Sequence, residues 1–511
     1  MTDWTNGYVA DIDYTYGYFG ELNPLSARLA FLSSGLVPPD NGIHCELGFG
    51  QGMSTNIHAA ASVSTWYATD FNPAQAGFAQ SVARASGADA HLYDQAFAEF
   101  CTRSDLPDFD SIELHGIWSW ISEENRAVIV DFISRKLKVG GVLYVSYNTQ
   151  PGWAAFAPMR HLLAEHAAVM GAKGVGTARR VDGALDFAEK LLATNPIYAQ
   201  ANPLVVGRLK DVRGDDRHYL AHEYFSRDWQ PMHFATTANL LSTAKLDYAC
   251  SAHYLDHIDD VNLTPDQQTL LKEIPDATFR QTVRDFMVNK QFRKDYWVKG
   301  ARRLNPTEQS EALRAQSVVL VTLRSDASLK IAGAMGEVTM QESIYGPILD
   351  ALADHKPQTL AQVERSVKEQ GVSWPQIVQA VMVLVGAGYL VAVQDEALIP
   401  KARKLTDKLN AHLIDRTRAG SDIGLLASPV TGGGVSVGRF GQLVLSAIND
   451  GQQRPTEWAQ SIWALMAARG QKLIKEGKVL DSAEENLAEL TAQAQAYADK
   501  QLPILKALQL F

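Results

Sequence analysis

The most chemically suggestive spacing in the chain is Glu46-Leu47-Gly48-Phe49-Gly50-Gln51-Gly52. It follows a short apolar run, Ile43-His44-Cys45, and precedes a helix-like segment from Ser54 to Ala61. The order reads as strand, glycine turn and helix start. Three glycines at alternate positions let the backbone turn tightly and expose its N–H groups. A ligand can then approach the backbone at the positive end of the helix. An acid, Asp70, stands 18 residues after Gly52, at the end of the next strand-like run, and Asp94-Gln95 ends the one after that.

The elements that must position these residues alternate. Strands are expected at Ile43–Leu47, Ser64–Thr69, Ala90–Tyr93, Ser111–Leu114 and Val142–Ser146, with helices between them, most clearly Pro73–Ser86 and Ser122–Leu137. Ser122 suits an N-cap, Glu123 and Glu124 the first turn, and Arg135, Lys136 and Lys138 the end of that helix. Gly140-Gly141 punctuates before the fifth strand. The pattern is α/β, a doubly wound Rossmann-like sheet, mainly parallel, whose ligand lies beyond the carboxyl ends of the strands. Residues 153–233 read as a helical insertion or lid over the sheet mouth. Strand signals at Leu246–His253 and Asp295–Lys299 close the same sheet. The expected units are an N-terminal cap (1–40), a core (41–152), the insertion (153–233), a region closing the sheet (234–301), a winged-helix-like unit (315–395) and a helical C-terminal region (402–511). A chain cut near residue 310 is expected to keep the ligand turn working.

Bulk properties narrow the function. At 511 residues with 46% apolar and 20% charged residues, the chain is long enough for several domains. No apolar run reaches the ~18 residues of a membrane span. The acidic, Tyr-rich start lacks the basic and apolar regions of a signal peptide. Three widely spaced cysteines, Cys45, Cys101 and Cys250, suggest no disulfide framework, and a reducing cytoplasm fits best. Residues 1–150 hold 17 Asp and Glu against 7 Lys and Arg; the remainder has 40 of each. This acidic stretch disfavours nucleic acid and favours a cationic partner, although ordinary surface charge kept for solubility is the simpler explanation. The last helix-like run of 315–395, Trp374–Val385, has no Lys or Arg, unlike a DNA reader. Gly432-Gly433-Gly434 is not followed by Gly-Lys-Ser/Thr, so it reads as a flexible loop within a break at Ser428–Gly438.

A dinucleotide fold wants Gly-x-Gly-x-x-Gly. Here Gly52 comes one position early, Met53 sits where the third glycine belongs, and Glu46 precedes the first. Glu-x-Gly-x-Gly-x-Gly instead resembles the first motif of class I S-adenosylmethionine-dependent methyltransferases. In that resemblance Asp70 holds the ribose hydroxyls and Asp94-Gln95 read the adenine. The segments His115-Gly116-Ile117-Trp118-Ser119-Trp120, Tyr147–Trp153, Tyr219–Tyr224 and Asn289–Asp295 resemble a bacterial family that joins such a domain to a methyltransferase regulatory domain and a winged-helix-like part. Its best-known members methylate lysines of outer-membrane proteins. The resemblance implies S-adenosylmethionine as cofactor, S-adenosylhomocysteine as product and a protein-lysine substrate. The candidate cofactor contacts are Tyr16, Glu46, Gly48, Phe49, Gly50, Gly52, Asp70, Phe71, Asp94, Gln95 and His115.

Methyl transfer to an amine needs alignment and a neutral lone pair. A base or an apolar aromatic pocket helps the amine lose its proton, and aromatic walls attract ammonium groups. The candidates are His115, Trp118, Tyr147 and Asn148 at strand ends, with His222, Glu223 and Tyr224 closing the pocket from the insertion. Trp118 and Trp120 serve equally to pack the insertion, His115 to contact cofactor, and His222-Glu223 to pair between helices. His218 and His222 lack a third ligand, so no metal is expected. Tyr8, Tyr14, Tyr16 and Tyr18 form either a packed cap or part of a lid. Methylation of a small metabolite or carbohydrate, and a non-catalytic cofactor-binding module, are the competing readings. Trp458, Ile462, Trp463 and Leu465 need a covering surface, which a homodimer or their own domain would supply.

Overall fold

The structure, a computed structural model, describes residues 8, 9, 12, 15–172 and 174–511. Tyr14, and most of the first fourteen residues of the expected cap, lie outside the described residues.

Seven strands form the central sheet: β1 (Ile43–Leu47), β2 (Thr65–Asp70), β3 (Ala90–Asp94), β4 (Phe109–Leu114), β5 (Leu137–Asn148), β6 (Leu246–Ser251) and β7 (Phe292–Lys299). Their order is β3-β2-β1-β4-β5-β7-β6. The first five are parallel, and β7 is antiparallel to both β5 and β6, so β6 runs with the first five. The order reverses between β1 and β4, which places the ligand crevice beyond their carboxyl ends. One correction concerns β5. Gly140 and Gly141 do not precede it but lie inside it, Gly140 at φ 83° where the register against β4 shifts between Phe109 and Ser111. Two steps on β4, Phe109 to Ser111, span five on β5, Leu137 to Val142, so β5 carries three extra residues there, and the left-handed glycine accommodates them without ending the strand.

Apolar alternation along the strands buries both faces. One face packs on Ile129, Phe132 and Ile133 of the helix Glu123–Lys136 and on Phe234 and Leu241 of Phe234–Ser242. Ser122 caps the first of these helices by accepting from the Asn125 N–H, with Glu123 and Glu124 in its first turn and Arg135 and Lys136 in its last. The other face packs on the helix Pro24–Ser33 and on the 317–393 segment. That segment is a three-stranded sheet (Ser317–Leu320, Gln358–Thr359, Leu390–Val393) with helices Glu342–Ala351, Leu360–Ser366 and Trp374–Gly386. Between β5 and β6, helices Ala157–Val169, Thr177–Ala193, Leu204–Gly214 and Arg217–Phe225 surround a core of their own that includes Trp153, Phe156, Leu185, Leu209 and Tyr224.

The C-terminal region changes two expectations. Ser428–Gly438 is no flexible loop: strands Leu425–Ser428 and Gly433–Ser436 form a hairpin whose turn, Pro429–Gly432, is buried. Its hairpin and the helix Ile399–Thr417 pack on the helix Met53–Ser62 that follows the glycine turn, and all ten residues of that helix are buried. Gln394 donates to the carbonyl of Ala61, 2.9 Å away. A chain ending near residue 310 would therefore strip the cover from the helix that carries the ligand turn. Trp458 and Ile462 are buried in this same core, with Trp463 and Leu465 packed against it, so the face offered for a homodimer is covered within the chain. Leu409→Ala, in the wall against the Met53–Ser62 helix, should cost about 2–5 kcal/mol in denaturant unfolding. A loss below about 1 kcal/mol would show that this wall does not support the helix.

Candidate methyl-transfer site

The glycine turn is held from below by β2. Gly48 donates its N–H to Thr69 O at 2.8 Å, and Gly50 donates to Asp70 Oδ2 at 2.9 Å. Gly48, Gly50 and Gly52 all have positive φ, at 80°, 58° and 68°. A Cβ on Gly48 would also run into Ile117 Cδ1, and one on Gly52 into Ala79. The turn thus needs glycine for its conformation and for close approach, which leaves backbone exposed toward the crevice.

Asp70 also accepts from the Asn72 N–H at 2.9 Å. Burial pushes its carboxyl up to about 7 against the pull of those two N–H groups. A carboxylate has about four lone-pair positions, so two remain for a pair of hydroxyls. Asp94 is exposed beside it across the β2–β3 register. Gln95 donates its N–H to Asp70 O at 3.1 Å and accepts from Arg103 at 3.2 Å. These residues fit a ribose and an adenine edge, with a glycine turn to take the remainder of the cofactor.

Not every expected contact faces this crevice. Glu46 is buried under the turn, where its carboxyl accepts the Thr55 hydroxyl. Phe49 packs inward on Ala68, Ala76, Ala79 and Leu92. Tyr16 packs edge-on against Phe78, 5.1 Å between centroids, against the C-terminal core. Phe71 does lie at the mouth, with Tyr8 edge-on at 5.6 Å.

Beyond β4 and β5 the candidates separate by sheet face. Trp118 and Tyr147 turn into the core with Phe132 and Trp297. The Tyr147 hydroxyl donates to Asp295 at 2.8 Å, within a buried cluster where Arg293 bonds Asp295 at 2.7 Å and Asp285 at 2.6 Å. His115 lies on the other side, stacked on Phe19 with centroids 3.4 Å apart and hydrogen-bonded to the Tyr144 hydroxyl at 2.9 Å. Burial lowers its pKa to about 3, which keeps it neutral. Asn148 and Glu223 are brought together by Ser119 and Trp120: Asn148 donates its backbone N–H to Ser119 Oγ at 2.9 Å, and the Glu223 carbonyl accepts from Trp120 Nε1 at 3.2 Å. The Asn148 amide nitrogen is buried without a hydrogen-bond partner. Burial raises the Glu223 carboxyl to about 7, against Asn148, Arg160 and Arg208. Tyr224 packs in the core of the helical insertion, on Trp153 and Phe156. His222 bonds the carbonyl of Ile12 at 3.0 Å and lies against Tyr8, 5.4 Å between centroids.

Phe19 and Glu113 were not among the sequence candidates, whereas Tyr18 was, as part of a packed cap or a lid. Phe19, whose N–H donates to Ser54 Oγ at 2.9 Å, joins the N-terminal segment to the turn helix and to His115. Tyr18 accepts the Gly434 N–H at 2.7 Å, so the C-terminal hairpin holds that segment. Glu113 stands opposite Glu46 across β1 and β4, also buried, and burial raises both to about 8. An acid inside the otherwise apolar run Ile112–Leu114 was the available signal for Glu113.

A model of the predicted methyltransferase regulatory domain matches residues 216–299. The protein is 39% identical over 510 residues, 99% of each chain, to sll1526, an uncharacterised protein of Synechocystis sp.. It is 24% identical over 230 residues to RP789, an uncharacterised protein of Rickettsia prowazekii, covering 43% of this chain and 40% of that one. The solved structure of PKMT2 from Rickettsia typhi in complex with AdoHcy aligns over 97% of this chain and 99% of its own, with a TM-score of 0.69 and 17% identity. The chain therefore shares the fold of the Rickettsia typhi protein, and its 216–299 segment is of the predicted methyltransferase regulatory type. The chain belongs to the family of the Synechocystis protein, which it matches along its whole length.

Asp70→Ala should weaken S-adenosylhomocysteine binding about tenfold or more by calorimetry, because the acceptor for the ribose hydroxyls is lost; unchanged affinity would contradict its assignment. The buried carboxyls also set a pH dependence. Glu46, Asp70, Glu113 and Glu223 keep protons to about 7–8 that the unfolded chain releases near 4. Their contribution to stability is full at low pH and is lost as pH rises through those values. His44, His58 and His115, lowered by burial to about 3, 4 and 3, act oppositely, but only below their ordinary value near 6.5. The ligand-free protein should therefore melt lower at about pH 8 than at about pH 6.5, with Glu113→Gln reducing the difference; a higher melting temperature at pH 8 would contradict this.

Proposed function

We propose that the protein transfers a methyl group from S-adenosylmethionine to the side-chain amine of lysine in a protein. The observation that carries this reading is the meeting of Asn148 and Glu223 at the carboxyl end of β5, beyond the glycine turn. When bound, the cofactor supplies an electrophilic methyl group on a sulfonium. The turn and Asp70 hold it in place. Glu223, with a carboxyl near neutral pKa, accepts the proton that a lysine ammonium must lose. The Asn148 amide, with hydrogen-bonding capacity to spare, orients the neutral amine for in-line attack. The neutral amine then takes the methyl as the sulfonium's C–S bond breaks, leaving a methylated ammonium that keeps its two protons and a neutral thioether, with the one released proton on Glu223. Neutral His115 on Phe19 and the ring of Tyr144 wall the crevice without adding a competing charge.

The acidic 1–150 region supports a basic acceptor by long-range attraction. The three cysteines, all free and buried, fit a reducing cytoplasm. Among the described residues no helix is long and apolar enough to cross a membrane.

The test is mass spectrometry of lysate proteins incubated with the enzyme and methyl-labelled cofactor. Label on lysines of discrete proteins supports the reading, and label confined to metabolites overturns it. In the same assay Glu223→Gln should lower kcat about 10²-fold while cofactor affinity stays unchanged. An unaltered kcat would remove Glu223 from the chemistry.

A further inference from the structure

A broad concavity lies away from the glycine turn. It is a cavity of about 750 Å³ between β6, the helix Ala277–Met287 and the turn at Ala332–Ala334, lined almost wholly by the matched regulatory segment. Its charged lining is unbalanced: Lys272, Arg280, Arg284, Lys290 and Arg293 face Asp256, Asp259 and Asp285. Three of the cations are committed within the fold. Lys290 pairs with Asp256, Arg284 with Asp259, and Arg293 with Asp285. Among the described residues, Lys272 and Arg280 have no carboxylate partner; Arg280 instead donates to the carbonyls of Ile274 and Pro275. The cavity therefore holds two cations with charge to spare, in a space the size of an ordinary ligand site.

The same helix carries an apolar edge outside the cavity. Phe279 and Phe286, seven residues apart on one face, are 58% and 59% exposed, and Leu270 on the preceding helix is 49% exposed. Exposed aromatics beside a charged concavity suit a polypeptide better than a small anion, because aromatic anchors carry much of protein recognition. The cavity wall also leads to the acceptor site. Gln291 O accepts the Thr149 N–H at 2.9 Å, and Lys290 O accepts the Gly152 N–H at 3.0 Å. The turn that begins at Asn148 is thus bonded to the cavity rim. From the same cavity, Arg293 reaches Asp295, which receives the Tyr147 hydroxyl.

We infer that this cavity and the Phe279–Phe286 edge form a docking site for an acidic segment of the protein acceptor, flanking the lysine to be methylated. The inference rests on the lysine reading above. The segment's carboxylates face Lys272 and Arg280, its apolar side chains cover the two phenylalanines, and its lysine extends past Thr149 toward Asn148 and Glu223. The glycine-turn region, residues 1–150, is acidic and attracts the lysine itself, while the cavity's two spare cations attract its acidic flank.

The experiment compares two synthetic lysine peptides, one flanked by glutamates and one by glutamines, with the full-length protein and labelled S-adenosylmethionine. The expected result is a KM about tenfold lower for the glutamate peptide, equivalent to about 1.4 kcal/mol. Lys272→Glu should erase that preference while leaving kcat on the glutamine peptide unchanged. Phe279→Ala with Phe286→Ala should raise KM for both peptides by a similar factor. Arg280 is left in place because it caps the Ile274 carbonyl. Equal KM values for the two peptides with the unaltered protein, or a preference that survives Lys272→Glu, overturn the docking site and leave the lysine reading standing. A change in kcat on the glutamine peptide when millimolar citrate is added marks the cavity as a small-anion effector site, which also overturns it. Methylation of neither peptide and of no lysate protein sinks the lysine reading and the docking site together.

Discussion

A carboxyl group placed at the dry end of a strand must find donors, and Asp70 finds two in the backbone N–H groups of Gly50 and Asn72. The Gly50 bond ties β2 to the glycine turn that follows β1, the Asn72 bond fixes the carboxyl that receives it, and the rest of the site depends on the pair. The turn keeps its left-handed glycines because Thr69 and Asp70 hold their N–H groups from one side. The helix it opens is then aimed at the crevice between β1 and β4, where the strand order reverses.

This small turn is surrounded by parts of the chain that are distant in sequence. The N-terminal segment crosses it, Phe19 on His115 and Tyr8 between Phe71 and His222. The C-terminal hairpin holds that segment through Tyr18 and covers the turn helix through the core that includes Leu409 and Trp458. The matched segment 216–299 carries Glu223, held at Trp120, and bonds the turn after Asn148 through Lys290 and Gln291. The proposed methyl transfer needs little machinery beyond positioning, and the additional mass encloses the turn.

Much of this was legible in the sequence. The bounds of β1 and of the helix Pro73–Ser86, and the Ser122 cap, are as expected, because glycine, proline and capping residues punctuate those elements locally. Closure of the sheet by β6 and β7 was legible too. The sorting of site residues by face was not. Tyr147 and Asn148 are neighbours, and a strand sends neighbours to opposite faces, so one serves the Arg293 cluster while the other faces Glu223. Periodicity gives the alternation but not which face is the crevice. Glu46 was read as a ligand contact from its place in the motif, yet its carboxyl is turned beneath the turn to Thr55. The buried role of Gly432–Gly434 was hidden for another reason. A glycine run looks flexible by composition, and only the Tyr18 ring lying against Gly433 and Gly434 shows why side chains are excluded there.

The most direct test of this account is a crystal structure of the protein with S-adenosylhomocysteine and a lysine peptide. The account predicts the cofactor on the Gly48–Gly52 turn, its ribose hydroxyls on Asp70, and the lysine nitrogen between its sulfur and the Asn148–Glu223 pair. A cofactor bound elsewhere, or a lysine nitrogen lying away from Asn148 and Glu223, would contradict it.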